Sequence, residues 1–124
     1  MKRLFHAVLA SALLFAGAAA TAADKEIAVI VKTANSDFWQ NVKKGATQAT
    51  SELKGYTSSF QGAASDTDLA GQVALVENAV NRKVAAIVLA PSDPDALIPA
   101  MKKAYEARIP VIVIDAAASD AGKK

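Results

Sequence analysis

With 124 residues, 14 lysines and arginines, 12 aspartates and glutamates and no cysteine, the chain has room for one small domain. Disulfide frameworks and thiolate metal sites are excluded. The formal net charge is only +2, and no basic stripe with interleaved aromatics is present, so nucleic acid is not an expected partner.

The chain opens on the basic Met1-Lys2-Arg3, followed by an almost wholly apolar run from Leu4 to Ala20 and a cluster of small residues up to Ala23. A basic start, an apolar middle and a small-x-small exit predict a secretory signal peptide over residues 1–22. Ala20 and Ala22 fill the −3 and −1 positions for cleavage before Ala23, and cleavage one residue later fits nearly as well. A membrane anchor needs about 20 apolar residues; this run is shorter, contains His6 and ends in a cleavage-like cluster. A lipid anchor would need a cysteine at the cleavage site. The expected destination is outside the cytoplasm. Loss of Lys2 and Arg3 would leave equal numbers of acidic and basic side chains, so the basic balance belongs to the leader.

The remainder alternates strand and helix patterns. Ile27-Ala28-Val29-Ile30-Val31 is a short β-branched run without alternation, which suits a strand buried on both faces. A helix is predicted over Asp37–Lys54, with Phe38, Val42, Ala46, Ala49 and Leu53 on one face and Gly55 as its C′ residue. Tyr56–Gln61 is more polar and suits an edge strand. A second helix is predicted over Thr67–Arg82, capped by Asp66, with Leu69, Val73, Val76 and Val80 inward. Ala85–Leu89 is a third strand. A third helix, Asp95–Ala107, turns Leu97, Met101 and Ala104 inward and is ended by Pro110. Val111–Ile114 is a fourth strand, and residues 119–124 are expected to be a disordered tail.

This βαβαβαβ order implies an α/β fold: a three-layer open parallel sheet, helices on both faces, with the flavodoxin-like strand order 2-1-3-4. Ligands of such sheets bind at the carboxyl ends of the strands. There the sequence places Lys32, Asn35, Ser36 and Asp37, the aromatics Phe38 and Trp39, then Asp93 and Asp115. Paired polar groups beside an exposed ring suit a sugar, whose hydroxyls take the hydrogen bonds while its C–H face packs on the ring. Ser36 equally suits the N-cap of the first helix, Asp37 its positive end, and Asp93 a turn between two prolines. One of the two aromatics is expected in the core, since only one can face the sheet squarely. Asp115, a carboxylate directly after four apolar residues, needs partners.

Enzyme chemistry has little to work with. The only histidine leaves with the leader, and neither a G-x-x-x-x-G-K-[ST] loop nor a G-x-G-x-x-G turn is present. A response-regulator phosphoacceptor would need an acidic pair where Lys32 and Thr33 stand. No cofactor and no metal are expected.

The segment Ile27-Ala28-Val29-Ile30-Val31-Lys32-Thr33-Ala34-Asn35-Ser36-Asp37-Phe38-Trp39 resembles the opening of periplasmic sugar-binding proteins of the ribose/allose class, type I periplasmic binding proteins. The run from Ala85 through Ala90-Pro91-Ser92-Asp93 to Leu97 is similar to the third strand and loop of that family, and Ile109–Asp115 to its fourth. The resemblance implies that Lys32, Ser36, Phe38, Trp39 and Asp115 face the ligand, the aromatics sandwiching a sugar and the aspartate binding its hydroxyls. Two departures stand against ribose specificity: Ser36-Asp37 replaces the usual Asn-Pro, and Ala116 follows the aspartate where ribose binders often carry Arg. An allose-like hexose, another pentose or a polyol remain open.

Family members close two lobes on the sugar. This sequence ends soon after its fourth strand, so the expectation is the N-terminal lobe alone (residues 23–118), through truncation or as a fragment. The resemblance then implies a non-catalytic, periplasmic substrate-binding component of an ABC-type sugar uptake system, whose partners are a sugar or polyol and the membrane permease. The alternatives are a lobe without ligand affinity serving as an interaction module, and a homodimer of two half-clamps. A sugar-sensing transcriptional regulator would share the core, but the leader and the lack of DNA-binding helices oppose it.

Overall fold

The computed structural model describes residues 23–116. The leader at 1–22 and the tail at 119–124 lie outside the described residues. The elements run β1 (Lys25–Thr33), α1 (Asp37–Ser51), β2 (Tyr56–Ala63), α2 (Leu69–Asn81), β3 (Ala86–Leu89), α3 (Ile98–Glu106) and β4 (Val111–Val113). All strand pairs are parallel and the order is β2-β1-β3-β4, which puts the more polar β2 at an edge.

The sheet divides the core in two because successive side chains of a strand point to opposite faces. Ala28 and Ile30 of β1, with Ile87 and Leu89 of β3, pack against Val76 and Ala79 of α2 and Ala100, Met101 and Ala104 of α3. Val29 and Val31 face the other way, against Trp39, Val42 and Ala46 of α1. Ile30, Ile87 and Leu89 are fully buried, and each such side chain contributes about 1.5–3 kcal/mol.

All three helices differ in phase or extent from the sequence pattern, α3 beginning at Ile98 rather than Asp95. The inward stripe of α1 is Trp39, Val42, Ala46 and Thr50, while Phe38, Ala49 and Leu53 are exposed. The stripe is rotated because Trp39, the larger ring, takes the buried place, and because Thr50 meets the sheet through a hydrogen bond to Ser58 (Oγ1 to Oγ, 3.0 Å). The helix ends at Ser51; Gly55, at φ 79°, lies in the turn beyond it rather than at C′. In α2 the cap is Asp68, not Asp66: its Oδ1 accepts from Gly71 N at 2.9 Å, where the first buried turn begins. That helix buries Gln72, Val76 and Ala79, with Val73 and Val80 partly covered.

Helices α2 and α3 stop in the same way. Lys83 and Arg108 adopt positive φ just past the caps, and the following Val84 and Ile109 donate back to Ala79 O and Ala104 O. These paired bonds satisfy the last carbonyls and bury the apolar residue after the turn. Thus α3 ends at Glu106 through its own C-terminal motif, with Pro110 lying beyond it.

An ionic staple joins the amino ends of the strands. Glu26 of β1 accepts from Arg82 Nη2 at 2.8 Å, Arg82 Nε at 3.2 Å and Ser59 Oγ at 2.6 Å. The Arg82 hydrogen bonds, then that of Ser59, hold the Glu26 carboxyl below its ordinary 4.5. Since the folded value is the lower one, this stabilisation is complete above the usual carboxylate range and is lost as pH falls through the folded value. The pair is partly exposed, so it contributes at most about 1 kcal/mol. Glu26→Gln should therefore lower stability slightly at pH 7 and reduce the loss between pH 5 and pH 3, as measured by urea unfolding. An unchanged acid slope would contradict this assignment.

Candidate functional site

The carboxyl end of β1 departs from regular pairing. Val31 lies opposite Gly62 and Thr33 opposite Ala63, so Lys32 is an extra residue in the ladder. Such a bulge re-aims the side chain it carries. Gly62 makes it possible: a Cβ there would clash with the backbone of Thr33 and Ala34. A strand glycine marks this kind of close backbone approach.

From the bulge, Lys32 Nζ reaches Asp115 Oδ2 at 2.8 Å. β3 separates β1 from β4, so this ion pair spans the end of β3. Both side chains are partly exposed, at 25% and 37%, and such a pair adds little to stability. Its consequence is positional: it sets an ammonium and a carboxylate side by side over the end of the sheet. Asp115 has φ 67°, and Ala116 N donates across it to Ile114 O at 2.8 Å. Left-handed backbone is uncommon outside glycine, and residues held in it cluster at functional sites.

Ser36 is the N-cap of α1, its Oγ accepting from Trp39 N at 3.3 Å. The hydroxyl hydrogen and a second lone pair remain for another partner. Gln40 Nε2 donates to Ala34 O at 2.6 Å and ties down the loop after β1. Phe38 and Trp39 meet edge to face, with centroids 4.8 Å apart. Trp39 is 5% exposed and belongs to the core, whereas Phe38 is 59% exposed. Asp93 serves its own loop, Oδ1 accepting from Asp95 N and Ala96 N at 2.9 Å each.

The fold therefore brings Lys32 and Asp115 into contact, sets Ser36 and Phe38 at the start of the helix that follows Lys32, and keeps Trp39 beneath them. A carboxylate accepts from two hydroxyls, an ammonium donates to lone pairs, and an exposed phenyl face packs on C–H groups. The surface is open. A hollow of about 960 Å³ lies at the opposite end of the sheet, between Glu26, Tyr56, Arg82, Lys83 and Arg108. It is remote from the strand ends where sheets of this kind bind ligands. Sequence reasoning did not single out Gly62 or Gln72; the glycine at a strand end was the available signal for the first, and nothing local marked the second.

A half-open sheet of order 2-1-3-4 with polar groups gathered at its carboxyl ends defines a lobe of the ligand-binding α/β class. Residues 27–124 match the model of the periplasmic binding protein domain, and the chain belongs to that family. The D-ribose/D-allose-binding protein of Pseudomonas aeruginosa is 32% identical over 92% of this chain and 38% of its own length. The ribose import binding protein of Salmonella typhimurium is 33% identical over 93% of the chain, again 38% of its own length. Among solved structures, an ABC transporter solute-binding protein from Agrobacterium vitis with bound D-fucose is 63% identical, with TM-score 0.77, over 79% of this chain and 34% of that one. A periplasmic solute-binding protein from Actinobacillus succinogenes with bound D-allose is 32% identical, with TM-score 0.72, over 80% and 34%. The chain thus spans little more than a third of the length of these relatives. Among the described residues, no helix is long and apolar enough to cross a membrane.

Gly62→Ala should force the bulge apart and destabilise the chain by about 1–3 kcal/mol. Urea unfolding checks it, and wild-type stability in this variant would contradict the close approach.

Proposed function

We propose that the chain is the N-terminal lobe of a sugar-binding protein that serves an ABC-type importer. It is exported by the leader at residues 1–22 and carries one wall of the sugar site without catalysing a reaction. The observation that carries this reading is the Lys32–Asp115 pair, held across the end of β3 by a bulge on one side and a left-handed turn on the other. Asp115 accepts from sugar hydroxyls, Lys32 donates to a ring or hydroxyl oxygen, and the Ser36 hydroxyl adds a shorter arm. Phe38 offers its face to the apolar side of the ring, with Trp39 packed edge-on as its support. The ligand class is a neutral sugar, since Lys32 and Asp115 are already paired with each other. D-fucose, D-allose and D-ribose, the sugars of these relatives, are the first to try.

A second reading rests on Ile112, which is 56% exposed in β4 beside Val88. With Phe38 also exposed, a second copy could cover this side and complete a clamp.

Calorimetric titration with D-fucose, D-allose and D-ribose, with the solution mass measured alongside, tests both readings. Weak binding by a monomer, lost in Asp115→Ala, is expected. Binding that survives Asp115→Ala would overturn the site. A dimeric mass with tighter binding would favour the second reading, and no heat from a folded monomer would leave a lobe without sugar affinity.

A further inference from the structure

We infer that Gln72, on the helix α2 that packs against the other layer of the core, is a positioning residue for the sugar site: its amide holds the loop that leaves β3 between Lys32 and Asp115. This rests on the sugar reading of that site.

Gln72 is fully buried, and its neighbours along the inward face of α2 are Val76 and Ala79. An amide in such surroundings is destabilising unless both of its ends find partners. Here both do. Nε2 donates to Ala90 O at 2.9 Å, and Oε1 accepts from Ser92 N at 2.8 Å. The two bonds fall on either side of Pro91, which is buried and has no N–H of its own.

The sheet does not meet this demand. Ala90 N still donates to Ile30 O of β1, and Ile114 N donates to Leu89 O of β3. Beyond that point β4 turns away at Asp115, and Ala116 N bonds back to Ile114 O. The carbonyl of Ala90 and the N–H of Ser92 thus lie just past the last rung of the ladder. The side chain of Gln72 supplies what a further stretch of strand would have supplied, one donor and one acceptor two residues apart. Asp93 then closes the loop from its far side through Asp95 N and Ala96 N. Because β3 lies between β1 and β4, this pinned segment is the ground that the Lys32–Asp115 pair spans. A loop fixed before ligand arrives needs no ordering on binding, which favours affinity.

The test compares Gln72→Met, which keeps length and loses both bonds, with Val76→Ala, which weakens the same helix face without touching the loop. Amide hydrogen exchange at Ser92 and D-fucose affinity are measured on the full chain. Gln72→Met should speed Ser92 exchange at least tenfold beyond any change at the Ile30 amide, and weaken D-fucose binding about tenfold. Val76→Ala should lower the melting temperature and leave the affinity of the folded chain unchanged. If Gln72→Met does not fold, Gln72→Leu substitutes for it, an apolar side chain that also loses both bonds. Ser92 exchange should then speed up and D-fucose affinity fall as for Gln72→Met. Normal exchange at Ser92 in Gln72→Met overturns the clamp. Fast exchange with unchanged D-fucose affinity overturns its link to the site. Failure of the unaltered chain to bind D-fucose, D-allose or D-ribose overturns the sugar reading and the affinity link together, and Ser92 exchange alone then decides the clamp.

Discussion

Burial of β1 on both faces, with a parallel strand hydrogen-bonded along each edge, is the constraint on which the other features of the lobe depend. Ala28 and Ile30 must find one apolar layer and Val29 and Val31 another, so α1 is committed to one side and α2 and α3 to the opposite side. Parallel neighbours require crossovers rather than hairpins, and the helices supply them. The same arrangement directs every strand's carboxyl end to one rim. Lys32, Ser36, Phe38 and Asp115 collect there because they lie in or next to the segments that leave β1 and β4.

The two rims are built differently. At the amino end the bonds are regular: Glu26 is held by Arg82 and Ser59, and two helices close with matching left-handed turns at Lys83 and Arg108. At the carboxyl end regularity is given up. Lys32 is squeezed out of the ladder, Gly62 touches the neighbouring backbone, Asp115 takes a left-handed conformation and a glutamine side chain replaces a strand. Each departure is destabilising alone, and each is held by the packed sheet behind it. The result is a set of polar groups fixed in place before any ligand is present.

One lobe offers a wall rather than a pocket. Phe38 and Ile112 are both more than half exposed, and the Lys32–Asp115 pair is partly exposed. Sugar binding in such a surface gains less than in a closed cleft, where desolvation strengthens each hydrogen bond. Affinity, rather than fold, therefore separates the functional readings of this chain.

The sheet order and the presence of helices on both faces were legible in the residues, because β-branched runs without alternation, spaced by amphipathic stretches, have few ways to bury themselves. Lys32, Ser36, Phe38 and Asp115 were legible as rim residues for the same reason: they follow the strands directly. The roles of Phe38 and Trp39 were not separable, since neighbouring helix positions differ by about 100° in direction and only packing chooses which faces the sheet. The rotated stripe of α1 was decided by contacts with the sheet, and the cap of α2 is made at Asp68, one turn before the first buried residue, rather than at Asp66. The Lys32–Asp115 pair and the Gln72 clamp join residues far apart in the chain, and nothing in local pattern encodes their distance. Local sequence thus determined which segments are strands and helices and which end of the sheet carries polar groups. Tertiary packing alone decided which of those groups meet, because it sets the register of β1 against β2 and the turn that carries Asp115 back over β3.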